Sequence, residues 1–112
     1  MRKGLPVAEV VLSPEAASDL YAIFDYILAE DGLDAAEMVV LRLEKAITSL
    51  AFLSERGKRP LELQDLGITQ FLEIQCPPWR IFYRLGEGTV QVLAVLDGRR
   101  DIASLLQEQM LR

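Results

Sequence analysis

Apolar positions recur along this chain at two different periods, and the changes of period mark its elements. Val7 to Leu12 is β-branched and apolar apart from Glu9, a pattern that predicts a short first strand. Ser13-Pro14-Glu15 then supplies a hydroxyl N-cap, proline at the first helical position and an acid in the first turn, which together predict a helix start. Ala16, Leu20, Ile23, Phe24, Ile27 and Leu28 follow at helical spacing on one stripe, with Asp19, Asp25 and Glu30 elsewhere, and the helix is expected to end near Asp31-Gly32. Asp34 and Glu37 are spaced as a capping box for a second helix running to about Glu55, with Ala36, Val40, Leu43, Ile47 and Leu50 as its inner stripe. A connection this short predicts an antiparallel helical hairpin. Met38, Val39, Leu41 and Phe52 widen the apolar surface beyond that stripe, either because the helix is sandwiched deep in the core or because the surface is kept for a partner protein.

From Arg56 to Gly67 the chain turns polar, with Gly57, Lys58, Arg59 and Pro60 reading as a basic loop. Ile68 to Gln75 is the next expected strand, and Pro77-Pro78 forces an extended turn. Two β-prone runs follow, Trp79 to Leu85 and Thr89 to Leu96, joined through Gly86-Glu87-Gly88 as a tight hairpin. A last helix is expected from Ile102 to Leu111, with Asp101 as N-cap, Ile102, Leu105, Leu106 and Met110 on one side, and the chain finishing in Arg112. Strand, two helices, three strands and a short helix predict an α+β layer architecture: an N-terminal strand, a helical hairpin packed on a mostly antiparallel sheet, and helices gathered on one face of it. Residues 1–112 read as one domain.

Composition narrows the chemistry. With no histidine and Cys76 alone, neither a zinc site of the usual ligands nor Ser-His-Asp or Cys-His catalysis is available, and no metal or cofactor is expected. The lone cysteine points to a reducing compartment. Arg2 and Lys3 lead into a stretch broken by Pro6 and Glu9, too short for a signal peptide, and no run approaches the roughly 20 apolar residues of a membrane span. A cytoplasmic protein is therefore expected. The net charge of −5 is uneven: residues 1–75 hold seven basic against thirteen acidic side chains, residues 76–112 five against four. A pI near 4.7 makes a general nucleic-acid binder a poor fit, while leaving room for a local arginine site.

Period-2 geometry puts Arg80, Phe82 and Arg84 on one face of their strand. Arg99 and Arg100 leave the sheet after Asp97-Gly98, at the end where Arg80 is expected if the strands pair through the glycine turn. Guanidinium groups from distant parts of the chain can converge there, or can pair with Asp97, Asp101 and Glu73 as a solvated network.

The ordered set Leu12-Ser13-Pro14-Glu15-Ala16, Asp19-Leu20, Tyr26-Ile27, Phe71-Leu72-Glu73-Ile74, Pro78-Trp79-Arg80-Ile81-Phe82-Tyr83-Arg84 and Val92 through Asp101 resembles the toxins of type II toxin–antitoxin modules in the RelE/ParE superfamily. The resemblance covers nearly the whole chain. It implies a small bacterial toxin, silenced in a hetero-oligomer by a cognate antitoxin whose flexible segment wraps the helices and sheet. RelE-like members cleave mRNA in the ribosomal A site; ParE-like members poison DNA gyrase and are not nucleases. On matching positions Arg80 and Arg100 correspond to the phosphate-facing arginines of the nucleases, and Glu62 or Glu73 is the available base. Phe71 and Glu73 stand where RelE-like proteins carry lysines, and Leu106 where they carry a tyrosine, so the resemblance leans to ParE. Asp97 stands where many ParE-like sequences have histidine. A gyrase-directed toxin would then use Arg80, Arg84, Arg99 and Arg100 with the C-terminal helix against its target, and Met38, Leu41 and Phe52 against its antitoxin. The alternative is a ribosome-dependent mRNA endonuclease built on Arg80, Arg100 and Glu73.

Overall fold

A computed structural model describes residues 7–110, so the readings placed on Arg2, Lys3, Pro6, Leu111 and Arg112, and on the Met110 side chain, lie outside the described residues. The elements run β1 (Glu9–Leu12), α1 (Pro14–Asp31), α2 (Leu33–Ser49), α3 (Leu61–Gln64), β2 (Phe71–Cys76), β3 (Trp79–Gly86), β4 (Thr89–Asp97) and α4 (Ile102–Met110). None of these helices is long and apolar enough to cross a membrane.

α1 starts as its sequence directs. Ser13 Oγ accepts from the Ala16 N–H at 3.0 Å, and the same hydroxyl donates to Leu93 O, while Ser13 N–H donates to Val92 O. One residue therefore caps the helix and fastens it to β4. The hairpin bend is tighter than expected. Gly32, at φ 94°, both ends α1 and precedes α2, which begins at Leu33 with no side-chain cap. The Asp34–Glu37 capping box does not form, because Asp34 already lies inside the first turn, where it acts through its charge at the positive helix end.

α2 stops at Ser49, short of Glu55. Thr48 and Ser49 hydroxyls turn back onto the Lys45 and Ala46 carbonyls, and the following amides of Leu50, Ala51 and Phe52 bond three residues back in tightened turns. The Ala51 carbonyl that would continue the helix accepts from Ala8 N–H instead, at 2.8 Å. β1 itself begins at Glu9, not Val7.

The sheet order is β1-β4-β3-β2, with β1 parallel to β4 and the other pairs antiparallel. The expected hairpin closes with Gly86 opposite Thr89, and Gly88 takes φ 68°, which a side chain would resist. Between Phe82 and Tyr83 the register shifts, their partners being Ala94 and Val92, so Leu93 is an extra residue in β4. Val90, Val92 and Val95 consequently face α1 and α2, while Ala94 and Leu96 face the other way.

That bulge turns Ala94 and Leu96 to the face that Phe71 and Phe82 already make apolar, and the expectation that all helices share one face is wrong. Ala16, Leu43, Ile47 and Leu50 of the hairpin region pack with Ile74, Ile81 and Tyr83 on one side of the sheet. On the other, α3 and α4 bring Leu63, Ile102 and Leu106 onto Phe71, Phe82, Ala94 and Leu96. α3 was hidden in the polar stretch read as a loop. Its Leu63 is fully buried, and Ile68 N–H donates back to Leu63 O, which delays β2 from Ile68 to Phe71.

Candidate functional site

The β3–β4 register places Trp79 opposite Asp97 and Arg80 opposite Leu96, so the Asp97–Asp101 turn emerges beside Arg80 as anticipated. Gly98 N–H donates to Pro78 O at 2.8 Å, seating the turn on the connection between β2 and β3. A Cβ on Gly98 would stand 2.8 Å from Arg80 Cδ, so the backbone there rides directly on the arginine stem, an approach that only glycine permits. Asp101 caps α4, its Oδ1 accepting from Ser104 N–H and its Oδ2 from the Ser104 hydroxyl.

The guanidinium groups share this corner without pooling their charge. Arg80 Nε and Nη2 donate to Glu73 Oε1 and Oε2, both at 2.7 Å, and Nη1 and Nη2 donate to Glu62 Oε2 and Oε1 at 2.7 and 2.8 Å. Two carboxylates thus grip one guanidinium, each with two bonds. The Arg80 side chain is 14% exposed, Glu73 2% and Glu62 33%, and the Arg80 Cζ stands 5.1 Å over the Phe82 ring. The Glu62 and Glu73 hydrogen bonds hold the Arg80 proton more tightly than usual, and Arg80 in turn holds the Glu62 carboxyl below the ordinary range. Arg99 folds back on Asp97, with Nη2 to Oδ2 at 2.6 Å and Nε to Oδ1 at 3.0 Å, and this lowers the Asp97 carboxyl to about 2. Three guanidiniums, of Arg80, Arg99 and Arg100, are outnumbered by the carboxylates of Glu62, Glu73, Asp97 and Asp101. Arg84, four residues along β3 and so about 13 Å from Arg80 by strand rise, is exposed and donates to Gln91 Oε1.

Glu62 and Glu73, the bases available from sequence, are therefore both engaged by Arg80. The Glu73 pairing was among the sequence alternatives; the Glu62 pairing had no local signal, because it depends on α3. The carboxyl that burial pushes upward is Asp19, on the other side of the sheet. Its Oδ2 accepts from Val95 N–H at 2.9 Å, beyond the end of β1 on the edge of β4 that faces away from β3, and from Gln109 Nε2 at 3.5 Å. Arg100 acts on Asp19 through its charge. Gln109 Oε1 is buried with no hydrogen-bond partner among the described residues. Asp19→Asn keeps an acceptor for Val95 and offers an amide N–H to a turned Gln109, so stability at neutral pH should hold or rise by about 1 kcal/mol; Asp19→Ala should lose about 1–3 kcal/mol by orphaning the Val95 amide. The wild-type carboxyl is raised in the folded state, so its charge costs stability at neutral pH and the cost is relieved as pH falls through the folded value. Denaturant titrations at neutral and mildly acidic pH should show that relief in wild type and not in Asp19→Asn.

A family model described as "ParE toxin of type II toxin-antitoxin system, parDE" matches residues 10–102. The chain belongs to the ParE toxin family. It is a toxin of a type II toxin–antitoxin system. Toxin ParE3 of Caulobacter vibrioides is 26% identical over 89% of this chain and 96% of its own length, Toxin RelE2 of the same organism is 35% identical over 84% and 99%, and Toxin ParE1 of Mycobacterium tuberculosis is 31% identical over 82% and 91%. Two solved structures share the fold: the chromosomal ParDE system of P. aeruginosa (TM-score 0.68, 21% identity, 80% of this chain and 94% of that one) and the RelBE2 toxin–antitoxin complex of M. tuberculosis (TM-score 0.54, 23% identity, 87% and 97%).

On the sheet face that carries the helical hairpin, Met38 and Leu41 stand exposed on the outer face of α2, one turn apart, so the deeply sandwiched reading of that helix does not hold for them. Val39 is half-buried against the core. Phe52 is exposed and lines a cleft of about 580 Å³ with Ala8, Leu53 and Leu85. A second groove of about 490 Å³ lies between α1, α2 and β1, floored by Leu20, Phe24 and Val40 and edged by Asp25 and Glu44.

Proposed function

We propose that this toxin arrests growth by contacting DNA gyrase in the cytoplasm and does not cut RNA. The state of Arg80 carries the reading. Stabilising a pentacoordinate phosphorus needs guanidinium donors aimed at developing charge. Four of the five N–H donors of Arg80 are held by its own glutamates, and the corner carries more carboxylates than guanidiniums, which repels an incoming phosphate. A base is missing as well, since both Glu62 oxygens are taken up by Arg80, which lowers the carboxylate's affinity for a proton and makes it a poor acceptor. The relatives' names span both ParE and RelE, so they favour neither target. What remains outward-facing suits protein contact: Arg99 and Arg100 at the rim, with the outer side of α4 beside them.

ATP-driven supercoiling of relaxed plasmid by purified gyrase should be inhibited by the toxin. Arg99→Glu with Arg100→Glu should raise the half-inhibitory concentration about tenfold or more, because reversed rim charges act against a complementary surface. On programmed ribosomes the toxin should leave mRNA intact. A cut in the A-site codon that disappears in Arg100→Ala would instead establish the nuclease.

The cognate antitoxin is proposed to anchor on Met38, Leu41 and Phe52, forming a hetero-oligomer; the solved neighbours named above are toxin–antitoxin systems. Each apolar anchor buried by a partner contributes about 1.5–3 kcal/mol. The triple change to serine should weaken the complex a hundredfold or more by calorimetry and leave the fold intact, since the three side chains are exposed. Undiminished affinity would move the contact elsewhere, to the α1–α2 groove first.

A further inference from the structure

The Arg80 cluster holds one more carboxylate than its charge requires. Glu73 alone neutralises the guanidinium, takes its Nε/Nη2 edge, and is buried with it. Glu62 takes the remaining Nη1/Nη2 edge and leaves the cluster with a net negative charge. That second pairing is not what keeps α3 in place. Leu63 is fully buried against Phe82, Leu106 and their neighbours, the amides of Leu63 and Gln64 donate to Pro60 O, and Gln64 Nε2 donates to Arg59 O. Of the two glutamates, solvent reaches Glu62. Its edge of the guanidinium is also the one an external anion would meet, because Glu73 covers the other and Gly98 and Phe82 close over the stem and the ring face.

We propose that Glu62 is a built-in plug: its carboxylate occupies the outward edge of Arg80 as a phosphate oxyanion would, and so keeps phosphate off the one guanidinium edge that Glu73 leaves uncovered. A carboxylate and a phosphate oxyanion present the same paired acceptors to a guanidinium fork, so the plug competes directly with an external phosphate. The plug is intramolecular and permanently at hand, so a dilute phosphate group loses that competition. This deepens the non-nucleolytic reading, on which it rests, by naming the residue that silences Arg80. It is independent of gyrase: supercoiling inhibition by the wild-type toxin tests the target, and phosphate binding by the variants tests the plug.

The probe is inorganic phosphate, titrated at neutral pH while the Arg80 Nε–H signal is followed by NMR in wild type, Glu62→Ala, Glu62→Gln and the double variant Glu62→Ala, Arg80→Lys. Glu62→Ala should bind phosphate at least tenfold more tightly than wild type, and Glu62→Gln, which keeps one acceptor, should fall between them. In the double variant, where lysine retains the charge but not the fork, backbone amides of residues 97–101 should report loss of the gained affinity. Equal affinity in wild type and both Glu62 variants overturns the plug, as does a gain that survives Arg80→Lys. Loss of Leu63–Leu106 methyl contacts in Glu62→Ala and Glu62→Gln would also overturn it, by showing that Glu62 is needed to dock α3.

Discussion

Arg80→Met lowers stability by about 3–5 kcal/mol at neutral pH, the penalty for leaving a buried carboxylate without its counter-charge. Methionine fills the volume of the arginine stem against Gly98 and Phe82, so the loss is electrostatic and not a packing defect. It falls on Glu73, whose side chain is 2% exposed and both of whose oxygens accept from Arg80. The pH dependence has a defined sign. In wild type the Glu62 carboxyl is depressed by Arg80, so its contribution is present above the ordinary glutamate value and is lost as pH falls through the folded value. In Arg80→Met that contribution is absent, so acidification removes it from wild type and takes nothing from the variant. Urea midpoints should therefore converge as pH is lowered. Adding Glu62→Leu and Glu73→Met should recover most of the deficit at neutral pH, because an apolar set of similar volume replaces a buried ionic one at little net cost.

Gly57→Ala costs about 2–4 kcal/mol, more than removing the hydroxyl it crowds. Gly57 lies where the chain after α2 crosses β2 and β3. Its N–H donates to the Tyr83 hydroxyl at 3.0 Å, that hydroxyl donates to Ser54 O at 2.8 Å, and Lys58 exchanges two backbone bonds with Glu73 across the edge of β2. An alanine Cβ would collide with the Tyr83 hydroxyl and stand 2.8 Å from the Glu73 carbonyl oxygen, which is backbone and cannot rotate away. Relief requires the 54–58 segment to lift from the sheet, losing several of these bonds together. Tyr83→Phe, which removes the hydroxyl alone, should cost about 1–2 kcal/mol, and Gly57→Ala with Tyr83→Phe should recover only in part, since the carbonyl clash remains. Denaturant titration of the three variants separates the two clashes. Full recovery in the pair would place the whole strain on the hydroxyl.

What the sequence disclosed was local. Ser13-Pro14-Glu15 marked the start of α1 because a hydroxyl cap and an N1 proline act within one turn, and Gly86-Glu87-Gly88 marked the hairpin because a positive φ is needed there. The family resemblance ran through those same motifs and the Asp97–Asp101 turn. Hidden features depended on contacts between distant residues. Val92-Leu93-Ala94-Val95-Leu96 is apolar throughout, so nothing in it announces that Leu93 is a bulge and that the sheet has two buried faces. Asp34 and Glu37 have capping-box spacing, yet Gly32 turns the chain in one residue and starts the helix before them. Leu61–Gln64 lies in a stretch that reads as polar, and nothing local to it shows that Leu63 is buried with α4. At the candidate site, sequence placed Arg80, Arg99 and Arg100 at one end of the sheet but could not assign their partners. The decisive one, Glu62, is 18 residues from Arg80 and reaches it only because α3 forms.

Pulse labelling of DNA and protein synthesis in the first minutes after inducing the toxin without its antitoxin is the most direct test of a gyrase-directed, non-nucleolytic poison. DNA synthesis should fall first while translation continues. Translation failing first, with DNA synthesis sustained, would contradict that function and return Arg80 and Arg100 to the role of a nuclease.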